Sequence, residues 1–207
     1  MYAQVIEDLR RTYDASAVAR DAGAIASWKQ VERETFLARL RAAGARRLLE
    51  IGAGPGHHGA WFRDQGLDVV CTDLSPEMVQ LARAKGLDAR VMDFLSLDFD
   101  AELDAVFALN CLLHVPKANL PRVLAAVRRA LRPGGLFYYG VYGGESFEGV
   151  WPDDRLDPPR FFAFYTDREL LNAVLGPFDL LDFHRVNPPE DTRDYFQSLT
   201  LRRPEAG

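Results

Sequence analysis

Apolar residues along this chain fall into two alternating spacings, and the alternation predicts strands and helices in turn. Short apolar runs at residues 48–51, 67–73, 87–93, 105–110 and 136–142 read as strands. Helical patterns fill the gaps between them. One begins at Ala60-Trp61-Phe62. A second begins at Ser75-Pro76, with serine as N-cap and proline at the first helical position. A third covers residues 121–131 and is stopped by Pro133-Gly134-Gly135. Residues 2–20 look helical and end before Ala22-Gly23, and Ser27-Trp28-Lys29-Gln30 is a capping-box start for a helix closed by Gly44. Thr166-Asp167-Arg168-Glu169 opens a short helix ending at Gly176. Residues 178–186 and 195–202 are rich in β-formers, with the turn-rich Asn187-Pro188-Pro189-Glu190-Asp191 between them. That connection cannot hold a crossover helix, so the last two strands should pair antiparallel. The pattern predicts an open α/β sheet, mostly parallel, with a C-terminal antiparallel hairpin and helices on both faces. In such a sheet ligands bind in the crevice along the C-terminal ends of the parallel strands.

The candidate chemistry falls at those ends. After residues 48–51 come Gly52, Gly54, Gly56 and Gly59, which let the backbone turn sharply and expose main-chain N–H groups to a ligand. Gly54-x-Gly56-x-x-Gly59 spells a dinucleotide fingerprint, but the glycines begin earlier and Glu50 lies inside the feeding strand. A carboxylate in a strand that should be wholly apolar has two readings: it binds a ligand or backbone group nearby, or it only caps the loop. Asp73, roughly twenty residues past the glycines, is placed to accept from ribose hydroxyls. Asp93-Phe94 offers an acceptor and an apolar face to an adenine.

Composition sets bounds. A chain of 207 residues, 48% hydrophobic, with no linker or internal repeat, is expected to be one domain with a substantial core. The N-terminus lacks the apolar core of a signal peptide, and no apolar run approaches a membrane span. Cys71 and Cys111 read as reduced, buried residues of a cytoplasmic protein. A formal net charge of −5 and scattered arginines argue against a nucleic-acid partner. Arg128, Arg129 and Arg132 are placed on one helix as a solvated face. Oligomerisation is expected to stop at monomer or homodimer. His57 and His58 are adjacent, so they do not form a same-face metal pair, and no metal is predicted.

LLEIGAGPG, VVCTDLSPEMV, ARVMDFLSLDF, AVFALNCLLHV and ALRPGGLFYYGV occur in the order and spacing of class I S-adenosylmethionine-dependent methyltransferases, over about residues 46–143. The chain resembles that family, which implies a Rossmann-like sheet of seven strands and methyl transfer from S-adenosylmethionine, leaving S-adenosylhomocysteine, to a small-molecule acceptor. By the resemblance, Glu50, Gly52, Ala53, Gly54 and Gly56 cradle the methionine part. Asp73 takes the ribose, Leu74 packs on the adenine, Asp93 bonds its amino group and the Phe94 N–H a ring nitrogen. Asn110 and Cys111 line the floor. The chain then divides into an N-terminal helical cover (1–45), a cofactor core (46–143), a lid (144–165) and a C-terminal helix and hairpin (166–207). A non-catalytic S-adenosylmethionine-binding protein and a nicotinamide-dependent oxidoreductase remain as alternatives.

The acceptor side is less marked. His114 follows the fourth strand, where an imidazole either takes a proton from the acceptor or bonds a neighbouring loop structurally. Tyr13 and Trp28 are assigned to one wall of an acceptor pocket, Tyr142, Trp151 and Tyr165 to the other. Tyr13 is also a candidate partner for the cofactor carboxylate. The long insertion after the fifth strand lacks a strong secondary-structure signal but is dense in aromatics, which suits a lid or a cover for the sheet edge.

Overall fold

The computed structural model describes residues 2–152, 154–188 and 195–205. Two helices, α1 (Tyr2–Asp21) and α2 (Ser27–Ala42), precede the first strand, β1 (Arg47–Ile51). Then α3 (His57–Asp64), β2 (Asp68–Asp73), α4 (Pro76–Ala84) and β3 (Asp88–Val91) follow in βαβ fashion. β4 (Leu103–Leu109), a single 3-10 turn at Leu112–His114, α5 (Leu120–Ala130) and β5 (Leu131–Gly143) continue it. The C-terminal part holds β6 (Phe147–Val150), β7 (Phe161–Phe164), α6 (Asp167–Val174), β8 (Asp179–Val186) and β9 (Tyr195–Arg202).

Seven strands form one sheet in the order β3-β2-β1-β4-β5-β9-β8. The first five are parallel, and β9 runs antiparallel to both β5 and β8. The order reverses direction between β1 and β4, which opens a crevice at their C-terminal ends. Successive residues of each strand feed opposite faces. Leu48, Phe107 and Tyr138 pack with Phe36 and Phe62 under α2 and α3; Leu49, Val106, Phe137 and Tyr139 pack on the other side. There α5 buries Leu120, Val123, Leu124 and Val127, the i, i+3, i+4, i+7 stripe of an amphipathic helix. Cys71 and Cys111 are free thiols inside these layers.

Of the three side-chain caps that the sequence predicts, two form. Ser75 accepts from the Met78 N–H at 3.1 Å, and Thr166 and Glu169 form a reciprocal capping box. Ser27 does not cap α2. Ala26 is the N-cap, with no side-chain bond, so Ser27 already has helical backbone and its hydroxyl is out of reach of the orphan N–H groups. Arg132 is not on the helix with Arg128 and Arg129. α5 stops at Ala130, and Arg132 reaches Asp104 at 2.7 Å instead.

The insertion is also more regular than its sequence implied. β6 and β7 form a two-stranded antiparallel hairpin, Phe147 opposite Phe164 and Val150 opposite Phe161. Its rings interlock: Phe147–Trp151 centroids lie 5.1 Å apart and Trp151–Phe164 5.4 Å. Asp153, and Pro189, Glu190 and Asp191 of the turn expected between the last strands, lie outside the described residues. No helix among the described residues is long and apolar enough to cross a membrane.

Candidate active site

A cavity of about 380 Å³ lies at the C-terminal ends of β1, β2 and β4. Its floor is the loop after β1. Gly52 and Gly54 both take left-handed backbone, φ +61° and +55°. A Cβ on Gly54 would meet nothing within 4 Å, so that residue presents bare main chain to open space. A Cβ on Gly52 would fall 2.4 Å from that of Cys111, so the loop and the β4 end can touch only through a glycine.

Two carboxylates bracket this loop, Glu50 buried and Asp73 half-buried. Asp73, the last residue of β2, accepts from the Gly54 N–H at 2.8 Å and the Ser75 N–H at 2.9 Å, tying the two strand ends together. Burial pushes its pKa up, against those N–H bonds, which pull it down. Glu50 is 3% exposed, accepts from the Gly59 N–H, and is pushed up to about 8, chiefly by burial. It therefore caps the loop and still faces the cavity. Leu74, Met78 and Phe94 supply apolar wall. Asn110 sits in left-handed backbone, φ +57°, with its Oδ1 buried and without a protein partner. The Nδ1 of His58 is likewise unpartnered, and burial holds that ring neutral with a pKa of about 3.

The other end is closed by α1 and the β6–β7 hairpin. The Tyr13 hydroxyl lies 2.5 Å from Nε2 of His114, whose Nδ1 is 2.7 Å from the Phe161 carbonyl. Burial, with Arg160 and Arg20 nearby, lowers the His114 pKa to about 3 against the pull of that carbonyl. The Arg20 guanidinium stacks 4.6 Å above the Tyr13 ring. Arg160 is held by Asp154 through Nε at 2.9 Å and a terminal nitrogen at 2.8 Å. α1 is fastened by polar contacts: Thr12 donates to the Pro158 carbonyl, Ser75 to Asp14, and Lys85 to Asp21.

A methyltransferase domain model matches residues 48–135. A ubiquinone biosynthesis O-methyltransferase of Xanthomonas oryzae pv. oryzae is 34% identical over 166 residues, covering 67% of this chain and 68% of that protein. A malonyl-[acyl-carrier protein] O-methyltransferase of Pseudescherichia vulneris is 30% identical, covering 80% and 70%. The chain belongs to the class I S-adenosylmethionine-dependent methyltransferases. It transfers a methyl group from S-adenosylmethionine to a small-molecule acceptor. Among solved structures, the 1,6-didemethyltoxoflavin-N1-methyltransferase of Burkholderia thailandensis, with bound 1,6-didemethyltoxoflavin and S-adenosylhomocysteine, superposes with a TM-score of 0.75. It is 26% identical and is matched over 99% of this chain and 89% of its own.

The methyltransferase cavity fits that cofactor: bare glycine backbone, two carboxylates, an apolar wall and two unsatisfied polar atoms line one space. Of the residues singled out in the sequence, Glu50, Gly52, Ala53, Gly54, Asp73, Leu74, Phe94, Asn110, Cys111, Tyr13 and His114 line it. Six others do not. Gly56 packs outward, where a Cβ would lie 2.6 Å from Leu87 and 2.9 Å from Ala82. The Asp93 carboxylate turns into its own loop and accepts from the Leu95 and Ser96 N–H groups at 2.7 and 2.9 Å. Trp28 and Tyr142 are sheet-face packing, with Trp28 4.7 Å from Phe196. Trp151 belongs to the hairpin cluster, and Tyr165 is 5% exposed under Lys117. Conversely, Arg20, Lys29 and the Gly23–Ala24–Ile25 link line the cavity and were not anticipated. The Gly23 link was readable as a helix break, but nothing in it said which way the chain would turn.

Proposed function

We propose that the loop end of the cavity holds S-adenosylmethionine and that the acceptor enters beside Tyr13 and His114. Gly52, Ala53 and Gly54 present backbone to the amino-acid part, with Glu50 and the Asn110 Oδ1 as acceptors for its ammonium. Asp73 accepts from the ribose hydroxyls with the lone pairs left over from Gly54 and Ser75. Leu74 and Phe94 flank the adenine, and Asp93 stiffens the turn that carries Phe94. Cys111 shapes the floor under Gly52. The observation that carries this reading is the open space in front of Gly54 next to the half-buried Asp73 carboxylate.

When bound, S-adenosylmethionine supplies a methyl on a positively charged sulfur, open to in-line attack. The protein's part is to position the acceptor and exclude water. α1 and the hairpin do the excluding: α1 bonds the β6–β7 link through Thr12 and Pro158, and both bond the 3-10 turn, α1 through Tyr13–His114 and the hairpin through Phe161–His114. The same reading takes the protein as cytoplasmic, a monomer or homodimer, and without a nucleic-acid partner, on its net charge of −5 and buried free thiols.

Calorimetric titration with S-adenosylhomocysteine, with NAD alongside, tests the cofactor assignment. Micromolar binding of the first and none of the second is expected. Binding of NAD alone would return the glycine loop to dinucleotide chemistry.

A further inference from the structure

Resting on that cofactor reading, we propose that Arg20 selects the acceptor, and that the acceptor is a carboxylate which arrives ionised and leaves as its methyl ester. Two features of the Tyr13 end carry this. No group there is left to take a proton, and one cation is left to take an anion.

The hydrogen bonds establish the first. The Phe161 carbonyl only accepts, so Nδ1 of His114 carries a hydrogen and donates at 2.7 Å. Its Nε2 is 2.5 Å from the Tyr13 hydroxyl, and Arg160 donates to the same Tyr13 oxygen. Both ring nitrogens of His114 are therefore committed, and a phenol oxygen bonded by a guanidinium is a poor base. The other basic groups lining the cavity are engaged or lie at the loop end. His57 gives a ring N–H to the Asp21 carbonyl at 3.1 Å. Glu50 and Asp73 hold backbone N–H groups of the loop, and His58 packs against Phe107 with ring centroids 5.7 Å apart.

Arg20 supplies the second feature. It lines the cavity and is exposed, so it stands at the mouth. Its guanidinium is stacked 4.6 Å above the Tyr13 ring, and its Nε is 3.3 Å from the Ser16 hydroxyl. Among the described residues, no hydrogen bond or ion pair reaches its two terminal nitrogens. The bonds on Tyr13 fix the ring, and the ring fixes the guanidinium. Net charge points the same way. Arg20 and Lys29 face Glu50 and Asp73 around the cavity, and S-adenosylmethionine brings one net positive charge, so the loaded site carries a positive surplus. Lys29 lies close enough to His58 to bear on its charge, at the loop end where the cofactor's own carboxylate meets bare backbone. That leaves Arg20 for the acceptor.

The step then needs no proton transfer. One carboxylate oxygen attacks the methyl carbon, the C–S bond breaks, and its electron pair stays on the sulfur. A carboxylate and a sulfonium become a neutral ester and a neutral thioether. The planar fork of a guanidinium matches a carboxylate, whose oxygens each keep a lone pair for attack. A neutral hydroxyl or an alkylammonium would have to shed a proton with no base in reach. The ester carries no charge to hold Arg20, which favours its release.

The test uses the full-length protein. Saturation-transfer NMR of the S-adenosylhomocysteine-loaded protein, with pools of carboxylic acids, phenols and amines, reads binding without turnover. Carboxylic acids should bind, and should lose their signal in Arg20→Gln. Acids that bind neither protein, or both alike, overturn the proposal. Methyl-labelled S-adenosylmethionine reads the product: label should enter the acid pool and come off as methanol in mild alkali, as from an ester. Label held in an alkali-stable product overturns it. For the acid that takes the label, Arg20→Gln should raise KM by about tenfold, the scale of a lost charge-assisted hydrogen bond, with kcat within about threefold. Arg20→Lys should recover part of that loss, and an unchanged KM in Arg20→Gln overturns the assignment. Calorimetry distinguishes a cofactor clamp. S-adenosylhomocysteine and methylthioadenosine, which lacks the amino-acid part, should each bind Arg20→Gln within about threefold of the parent. Loss of the first with the second unchanged would put Arg20 on the cofactor carboxylate and overturn the proposal. Failure of the unmutated protein to bind S-adenosylhomocysteine would sink the cofactor reading itself, and the first titration shows that separately.

Discussion

The two ends of the cavity are built differently. The loop end comes from neighbouring strand tips: residues 50–54 and 73–75 meet because β1 and β2 are adjacent and parallel, and their polar contacts are mostly side chain to backbone. The Tyr13 end comes from segments far apart in the chain, since Tyr13 and His114 are separated by 101 positions and the Phe161 carbonyl arrives from a third element. One end is a property of a local motif within a standard sheet. The other is a property of how a terminal helix and a hairpin happen to be laid over it.

The largest expected break in this contrast is at the loop. Gly54→Val puts a branched side chain at φ +55° into the space facing the cavity, so S-adenosylhomocysteine binding should be lost by calorimetry while far-UV circular dichroism stays native. Normal binding by this variant would remove the loop from the site. Asp73→Asn is the next step down. It keeps the shape but removes the charge, weakening charge-assisted hydrogen bonds worth about 1.5–3 kcal/mol each, so affinity should fall at least about tenfold. Unchanged affinity would show that Asp73 ties Gly54 and Ser75 and does nothing more.

That contrast also explains what the sequence disclosed. That Glu50, Gly52, Gly54 and Asp73 line one cavity was legible because their placement depends on strand ends, and strand ends follow from apolar periodicity and glycine position. Trp28, Tyr142, Trp151 and Tyr165 were misplaced because aromatic content announces burial without saying against what. Trp28 faces Phe196 of β9, a partner 168 positions away that no local pattern names. The hairpin was read as irregular because Phe161–Phe164 is uniformly apolar and its partner strand lies across a proline-rich link. Arg20 and Lys29 carry no local signal of a site in the sequence. Only the fold of α1 and α2 over the sheet brings them to the cavity.

Trp28→Ala sharpens the comparison from outside the cavity. Removing a ring packed on Phe196 and Tyr142 should cost about 3 kcal/mol of stability in chemical denaturation. Affinity for S-adenosylhomocysteine should stay within about threefold, since an effect of about 0.6 kcal/mol or less is expected from a residue that does not touch the ligand. A stable variant that had lost its binding would restore Trp28 to the site.

The smallest effect separates the pH response of the fold from that of the site. His184 places Nδ1 2.7 Å from Asp182 and Nε2 3.1 Å from Glu32, which also accepts from Tyr138, so both ring nitrogens face carboxylates from α2 and β8. Contacts with those acids raise its pKa above the ordinary 6.5, outweighing the partial burial that opposes them. The folded value being the higher one, this stabilisation is complete below pH 6.5 and is lost as pH rises through the folded value. Glu50 acts in the same direction, because a carboxyl raised to about 8 in the folded state makes stability fall between its ordinary 4.5 and that value. Buried His58 and His114, held neutral with pKa values of about 3, add stability as pH rises to about 6.5, so thermal midpoints measured from pH 7 to 9 should decline in the parent, and decline less in His184→Gln, which keeps the Glu50 contribution. In Glu50→Gln the remaining decline should follow His184 alone, shifted to higher pH. An identical slope in parent and His184→Gln would show that the bridge between α2 and β8 carries no charge, and that the pH response of this protein belongs to the cavity end of β1.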